Sequence, residues 1–399
     1  MGGMQGLLSV VMATALLPAD EPTYQIRLLA LDANEGIAAG DVDGDGKPDL
    51  VAGRFWYRNG DWKPRALRSI EDWNGYVQSN GDFLFDVNGN GRPDVIAGSF
   101  LPTEVHWYEN PGPEGLRLGQ QWRRHLLVDT GATANEGQLM ADLDGNGRPE
   151  WVVNSWKKDV PTVVWRLVDR DPSGEAGEGP EGEGSAPGGD AIYRMVPHQL
   201  GPRANGHGVA VGDLNGDGRP DVLVGQGWYE QPDSDPWGRP WTFHADWDLH
   251  SSLPMIVADV DGDGDADLIW GQGHDYGLYW WENRGIGDDG RIRWQEHEID
   301  RSFSQPHTLA WVDLDGDGRP ELVTGKRYFA HNGRDPGGME MPCLYYYRWD
   351  PAARRFVRHT IDEGHVGTGL QIVAEDLSGN GKVDLAVAGK SGTYLLLAQ

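Results

Sequence analysis

"DVDGDGKPD", residues 41–49, decides how the rest of the chain is read, because the same phrase returns six more times. It recurs as "DVNGNGRPD" from Asp86, "DLDGNGRPE" from Asp142, "DLNGDGRPD" from Asp213, "DVDGDGDAD" from Asp259, "DLDGDGRPE" from Asp313 and "DLSGNGKVD" from Asp376, at spacings of 45, 56, 71, 46, 54 and 63 residues. Periods of this size mark a propeller or solenoid unit, and seven lies within the usual number of propeller blades. A short apolar run enters each copy ("GIAAGD", "GVAVGD", "TLAWVD"), a second leaves it ("DLVAGR", "DVLVGQ"), an aromatic run follows ("FWYRN", "VHWYEN", "LYWWEN") and a fourth closes the unit ("QWRRHLLVD", "RWQEHEID"). Four short strands punctuated by Gly, Pro and Asn make one antiparallel blade. The expected fold is all-β, a single seven-bladed β-propeller of four-stranded blades over residues 20–399. Beyond the seventh motif only two strands remain, "VDLAVAG" and "TYLLLAQ", whereas "TYQIRLLALD", residues 23–32, is an outer strand with no blade of its own. Joining the N-terminal strand to the last blade closes the ring and removes an exposed edge.

Composition narrows the partners. The net charge of −28, from 34 basic and 62 acidic residues, argues against nucleic acid, since no basic stripe is present to neutralise phosphates. Cys343 is the only cysteine, so no intrachain disulfide forms. Residues 1–19 contain an apolar run of signal-peptide length, although no Lys or Arg precedes it, and the chain is expected to be secreted or periplasmic. The alternative is a buried or disordered N-terminal extension. No other stretch has the length of a membrane span. "DPSGEAGEGPEGEGSAPGGD", residues 171–190, has almost nothing apolar and is expected to be a disordered loop inserted in the third blade.

Carboxylates and amides at positions 1, 3, 5 and 9 of the phrase, with glycines at 4 and 6, place several hard oxygens around one point, as calcium requires. The expected ligands are Asp41, Asp43, Asp45 and Asp49 in the first loop, then Asp86, Asn88, Asn90 and Asp94 in the second. The third offers Asp142, Asp144, Asn146 and Glu150, and the fourth Asp213, Asn215, Asp217 and Asp221. The fifth offers Asp259, Asp261, Asp263 and Asp267, the sixth Asp313, Asp315, Asp317 and Glu321, and the seventh Asp376, Asn380 and Asp384, with Ser378 between. Loops one, five and six are all carboxylate; loops two and seven carry less charge and should bind more weakly. Seven divalent ions would halve the charge of −28. The alternative is that some loops are Asx-type turns without an ion. On these motifs the chain resembles the FG-GAP or VCBS family of calcium-binding propeller blades, a resemblance that speaks to architecture and little to function.

The chemistry is expected at the other end of the strands. Counting six residues back from each motif gives Glu35, Asn80, Glu136, His207, Leu253, His307 and Leu370, with His250 and His365 close by. Imidazoles and carboxylates converging on a channel suit zinc, iron, nickel or copper; the alternative is a set of histidines hydrogen-bonded across a wet channel. Residues ending the second strands add Trp156 and Lys157, His274 and Tyr276, and the loop "GKRYFAHNGRDPGG", which brings Lys326, Arg327, Tyr328, His331 and Asp335. His125, His297 and His359 recur in outer strands and read as structural. "ANEGIAAGDVDGDGKPDLVAGRFWY", the channel histidines and "GKRYFAHNGRDPGG" are similar to the propeller portion of the aldos-2-ulose dehydratases, metal-dependent lyases whose cupin domains are absent here. That resemblance implies elimination from a keto-sugar or keto-glycoside. The assignment these residues suggest gives His207, His307 and His365, with His250, to a channel zinc or other transition metal, with Glu35 or Glu136 as additional ligand or base. It leaves His331, Tyr328 and Arg327 for proton transfer, and Trp156, Lys157, His274, Tyr276 and Lys326 for a small carbohydrate. The rival readings are a non-catalytic calcium-stabilised propeller that binds glycan or protein, and a polysaccharide lyase on uronic-acid polymers, which wants more basic residues than this face supplies.

Overall fold

The computed structural model describes residues 21–157, 160–170, 189–202, 207–249 and 255–399. The expected signal peptide at 1–19 lies outside them, as does the inserted loop apart from Gly189 and Asp190, which form a turn.

Each motif is the hairpin between the first and second strands of a four-stranded antiparallel sheet, and the described residues contain seven such sheets. In the first blade Ala38–Gly40, Asp49–Ala52, Phe55–Tyr57 and Pro64–Ala66 run from the axis outward. The turn closes because Gly44 and Gly46 adopt φ of 78° and 83°, conformations that a side chain disfavours. The motif's first Asp accepts from the amides inside the loop: Asp41 Oδ1 from Gly44 and Oδ2 from Gly46, at 2.8 and 2.9 Å. The ninth residue, Asp49, is buried and accepts from Val42 N and Asn59 N. Asn59, which ends "FWYRN", also donates to Leu377 O in the seventh motif, and Asn110 donates likewise to Val42 O. The residue after the aromatic strand therefore staples each of these blades to its predecessor.

The seven inner strands contact one another in cyclic order, with the first meeting both the second and the seventh, so the ring is closed. Tyr24–Ala30 pairs antiparallel with Gly392–Ala398 and completes the last blade, Tyr24 opposite Ala398 and Leu28 opposite Tyr394. The core is divided the same way, into seven apolar clusters. One example joins Val51 and Trp56 of the first blade to Val95 and Tyr108 of the second. At about 25 cal/mol per Å² of apolar surface, these inter-blade layers are the main stabilising term. The outer-strand histidines belong to this frame, with His125, His244 and His297 stacked on Trp107, Trp228 and Trp280 and bonded to Glu109, Glu230 and Glu282. No helix among the described residues is long and apolar enough to cross a membrane.

Candidate metal and catalytic site at the channel mouth

Strands that start at the channel mouth and end at the motifs place their first residues around the axis. Glu136 is the second residue of the inner strand Asn135–Ala141, His307 the second of Pro306–Val312, and His207 lies two residues before Val209–Gly212. His274 follows the second strand of the fifth blade, Asp267–Gly271, and Trp156 follows Glu150–Ser155. One ring nitrogen from each of His207, His274 and His307 lies within 4.8 Å of the others; Glu136, His274 and His331 form an overlapping group of the same size.

Hydrogen bonds decide which nitrogens are already engaged. His207 uses Nε2 to meet Glu136 Oε2 at 2.8 Å, and His307 turns Nδ1 toward Gln305 O at 3.3 Å. The remaining nitrogens, His207 Nδ1 and His307 Nε2, are buried without a hydrogen-bond partner among the described residues, as is His274 Nε2. Three orphaned buried polar atoms on three neighbouring imidazoles are costly unless something fills their need. Burial, with His207 and His331 nearby, pushes the His274 pKa down to about 3; burial and then Arg327 hold His307 well below the usual imidazole range. Imidazole nitrogens without another partner are the donor set a transition metal takes, and the residues present fit such an ion.

Arg327 follows the second strand of the sixth blade, Glu321–Lys326, whose inner strand carries His307. Its Nε and Nη2 meet the two oxygens of Glu35 at 2.7 Å each, and its Nη1 donates to Glu136. Lys390 approaches Glu35 Oε1 at 3.2 Å. Burial raises the pKa of Glu35, but Arg327 and Lys390 outweigh it and hold it at about 2; Glu136 is held well below its usual value by Arg327 and His207 against the same burial. The first, third, sixth and seventh blades are thus tied together by one buried ionic network. Beside it Trp156, 38 % exposed, packs its ring 4.6 Å from both His207 and His274 and 5.5 Å from His331. His331 Nδ1 meets Asp335 Oδ2 at 2.6 Å. This loop holds three non-glycine residues in the left-handed region, Phe329, His331 and Asn332, with φ of 55°, 48° and 57°. Such local strain persists where surrounding contacts over-determine it. Here Lys326 Nζ donates to Gly337 O and Gln305 to Pro336 O, and Tyr276 donates to Glu340.

Several expected roles change. His365 is not in the channel; Asp362 captures its ring at 3.1 Å and leaves it 77 % exposed. Glu35 is not a free ligand and Arg327 is not free for proton transfer, because each saturates the other. His274, expected to touch substrate, joins the imidazole group instead. Lys326 is a buried pin on Ser304 Oγ and Gly337 O, with no face toward the mouth to bind substrate. Lys157 is exposed beside Trp156, Tyr276 is half-buried against Glu340, and Tyr328 is half-buried with its Cβ toward Gly367. Asn80 accepts from Phe100 N, Leu370 packs partly buried against the cluster between blades three and four, and His250 and Leu253 lie outside the described residues. Lys390 was missed by counting back from the motifs. Its signal was the "GK" that ends the second strand in both "ELVTGK" and "DLAVAGK".

At the opposite face, oxygens of Asp41, Asp43 and Asp45 gather within 4.8 Å, as do those of Asp259, Asp261 and Asp263, and those of Asp142, Asp144 and Glu150. Arginines also reach these loops: Arg58 meets Asp43 at 2.6 Å, Arg354 meets Asp261 at 2.8 Å, and Arg348 meets Asp315.

Comparison with known proteins agrees on architecture. The FG-GAP-like repeat model matches residues 86–153 and 259–324, and the FG-GAP repeat model matches 33–55 and 205–233. No curated protein matches the chain. Among solved structures, BBS1N in complex with ARL6DN is 10% identical, covering 94% of this chain and 96% of that one at a TM-score of 0.53. An Agrocybe aegerita lectin, described for recognition of non-reducing terminal N-acetylglucosamine, is 18% identical over 92% and 85% of the chains, with a TM-score of 0.48. The Bacillus licheniformis rhamnogalacturonan lyase PL11 is 13% identical over 95% and 74%, with a TM-score of 0.44. Of these, only the BBS1N match has a TM-score above 0.5, and at 10% identity it speaks to fold alone. Four stretches of the chain match FG-GAP repeat models, and its seven motif hairpins belong to the seven blades of a closed β-propeller.

Proposed function

We propose that the channel mouth is a transition-metal centre, zinc-like in its ligands, serving carbon–oxygen elimination on a carbonyl-bearing carbohydrate in an exported protein, with the motif loops as calcium-stabilised frame. The observation that carries this reading is the trio of buried, unpartnered nitrogens on His207, His274 and His307. A divalent metal held there supplies a Lewis acid for a carbonyl oxygen when bound. The chain's own residues account for the rest. Asp335 occupies His331 Nδ1 and so keeps Nε2 as the basic nitrogen, a pairing suited to removing the proton next to a carbonyl. The electrons of that C–H bond become the new double bond as the C–O bond on the neighbouring carbon breaks. The imidazolium on His331 then carries the proton that the leaving oxygen needs. Trp156 offers a partly exposed ring on which a sugar face can stack.

The ionic network favours a neutral substrate over a uronate. Arg327 and Lys390 are matched by Glu35 and Glu136, so no unopposed cation among these groups awaits a carboxylate. The test is metal analysis of the purified chain after exchange into calcium buffer, followed by incubation with 2-keto sugars and 3-keto-glycosides while enone absorbance is recorded. About one equivalent of zinc-like metal, with absorbance that vanishes in His307→Ala, is expected. Calcium as the sole bound metal would leave a binding propeller without this chemistry.

A further inference from the structure

We propose that Arg327 is a positioning residue that acts through Glu136 to fix the tautomer of His207, so that Nδ1 presents its lone pair to the imidazole cluster. The inference rests on the metal reading above and concerns how this chain prepares one ligand.

Arg327 can only donate, and each of its three nitrogens has a carboxylate partner: Nε and Nη2 on Glu35, Nη1 on Glu136 Oε1. Glu136 is 2 % exposed and sits between a permanent cation and a histidine, so it stays ionised and can only accept. Its second oxygen, Oε2, meets His207 Nε2 at 2.8 Å, and a bond at that distance between these groups requires the proton on Nε2. In the neutral ring Nδ1 is then a bare lone pair, and it is the nitrogen that lacks a partner among the described residues. A carboxylate on the far nitrogen is also what orients ligating histidines generally and makes them better donors. Glu35 has no bond to His207 in this scheme. It holds the guanidinium in the plane that brings Nη1 to Glu136, and Lys390 steadies it from the seventh blade.

Glu136→Gln tests the lock with almost no change of shape. Arg327 Nη1 still demands an acceptor, so the new amide turns its oxygen toward Arg327 and its NH2 toward His207. Nε2 must then accept, and the proton moves to Nδ1. The measurement is 15N NMR of the full chain, metal-free and calcium-saturated, with His207 assigned by difference against His207→Asn. Cobalt(II) titration of the same samples is followed by visible absorption. Expected are an Nε2–H tautomer in the wild type, the Nδ1–H tautomer in Glu136→Gln, and a fall in cobalt affinity of about 10–100-fold. A wild-type His207 carrying its proton on Nδ1 overturns the proposal without any variant. Equal cobalt affinity in both proteins overturns the lock while leaving the metal centre standing. If the wild type takes up no cobalt, the metal centre fails, and the two 15N spectra alone decide the lock.

Discussion

Glu136 and His207 are bonded at 2.8 Å although 71 residues separate them, and the bond joins the third blade to the fourth at the channel mouth. Through Arg327 the same carboxylate reaches the sixth blade and Glu35 of the first. The mouth is therefore a preorganised site whose parts come from different repeats.

Removing the centre of that network should be severe. Arg327→Met leaves Glu35 and Glu136 buried without their cation, and such a loss costs about 3–5 kcal/mol. Urea unfolding should show it as a lower midpoint at unchanged slope. A double variant, Arg327→Met with Glu35→Gln, should recover part of the loss. A single variant as stable as the wild type would mean that water reaches these carboxylates.

The same pair sets a response to acid. The folded pKa of Glu35, about 2, lies below the value of about 4.3 expected for an unfolded Glu. Its contribution to stability is thus fully present above about pH 4.3 and is lost as pH falls toward 2. Wild-type stability should drop across that window more steeply than that of Glu35→Gln, measured by thermal melts at fixed ionic strength.

The motif loops respond in the opposite sense. Burial raises Asp94, Glu150 and Asp221 to about 7, and Asp49 and Asp267 to about 6, well above the unfolded range of about 3.9–4.3. For groups shifted this way, stability is fully present below the unfolded pKa and is lost as pH rises through the folded one. In EDTA the protein should melt at a higher temperature near pH 5 than near pH 8. If the loops bind calcium, the ion should restore the difference at pH 8, because a ligand of the native state stabilises it by mass action. A melting temperature at pH 8 indifferent to both EDTA and calcium would count against occupied loops.

The His331–Asp335 pair offers a kinetic test. Asp335→Asn keeps the loop's size but no longer favours the imidazolium, so kcat should fall by about 10²–10⁴ with KM little changed. Trp156→Ala should do the reverse, raising KM several-fold while kcat holds. Steady-state kinetics on the substrate identified by the enone screen separates the two.

Closure can be tested by shortening the chain. Without residues 1–31 the strand Gly392–Ala398 loses its outer partner Tyr24–Ala30 and exposes a hydrogen-bonding edge. The truncated protein should self-associate in light scattering. Adding the peptide 21–32 in trans should reduce that association.

The frame was legible because its signals are local. The glycines that turn each hairpin, the ninth-position carboxylate that closes it and the Asn that ends the aromatic strand all act within about twenty residues or on the adjacent repeat. Strand polarity then placed Glu35, Glu136, His207 and His307 at one level. Roles at that level were less legible. His365 has the right residue type and nearly the right register, yet Asp362, three residues away, captures it. His274 lies in the turn after the second strand of the fifth blade, and its approach to His207 and His307 is a contact between blades.

The sequence by itself determined the number of blades, the closing strand and which end of each strand faces the channel, because repeat period and turn chemistry are properties of neighbouring residues. Tertiary structure alone decided that Arg327 is the partner of Glu35 and Glu136, 292 and 191 residues away, and that it is therefore unavailable for proton transfer. Side chains at one level of a ring compete for the same few ångströms around the axis. Which charges pair there depends on reach and burial across blades, and no spacing along the chain records either.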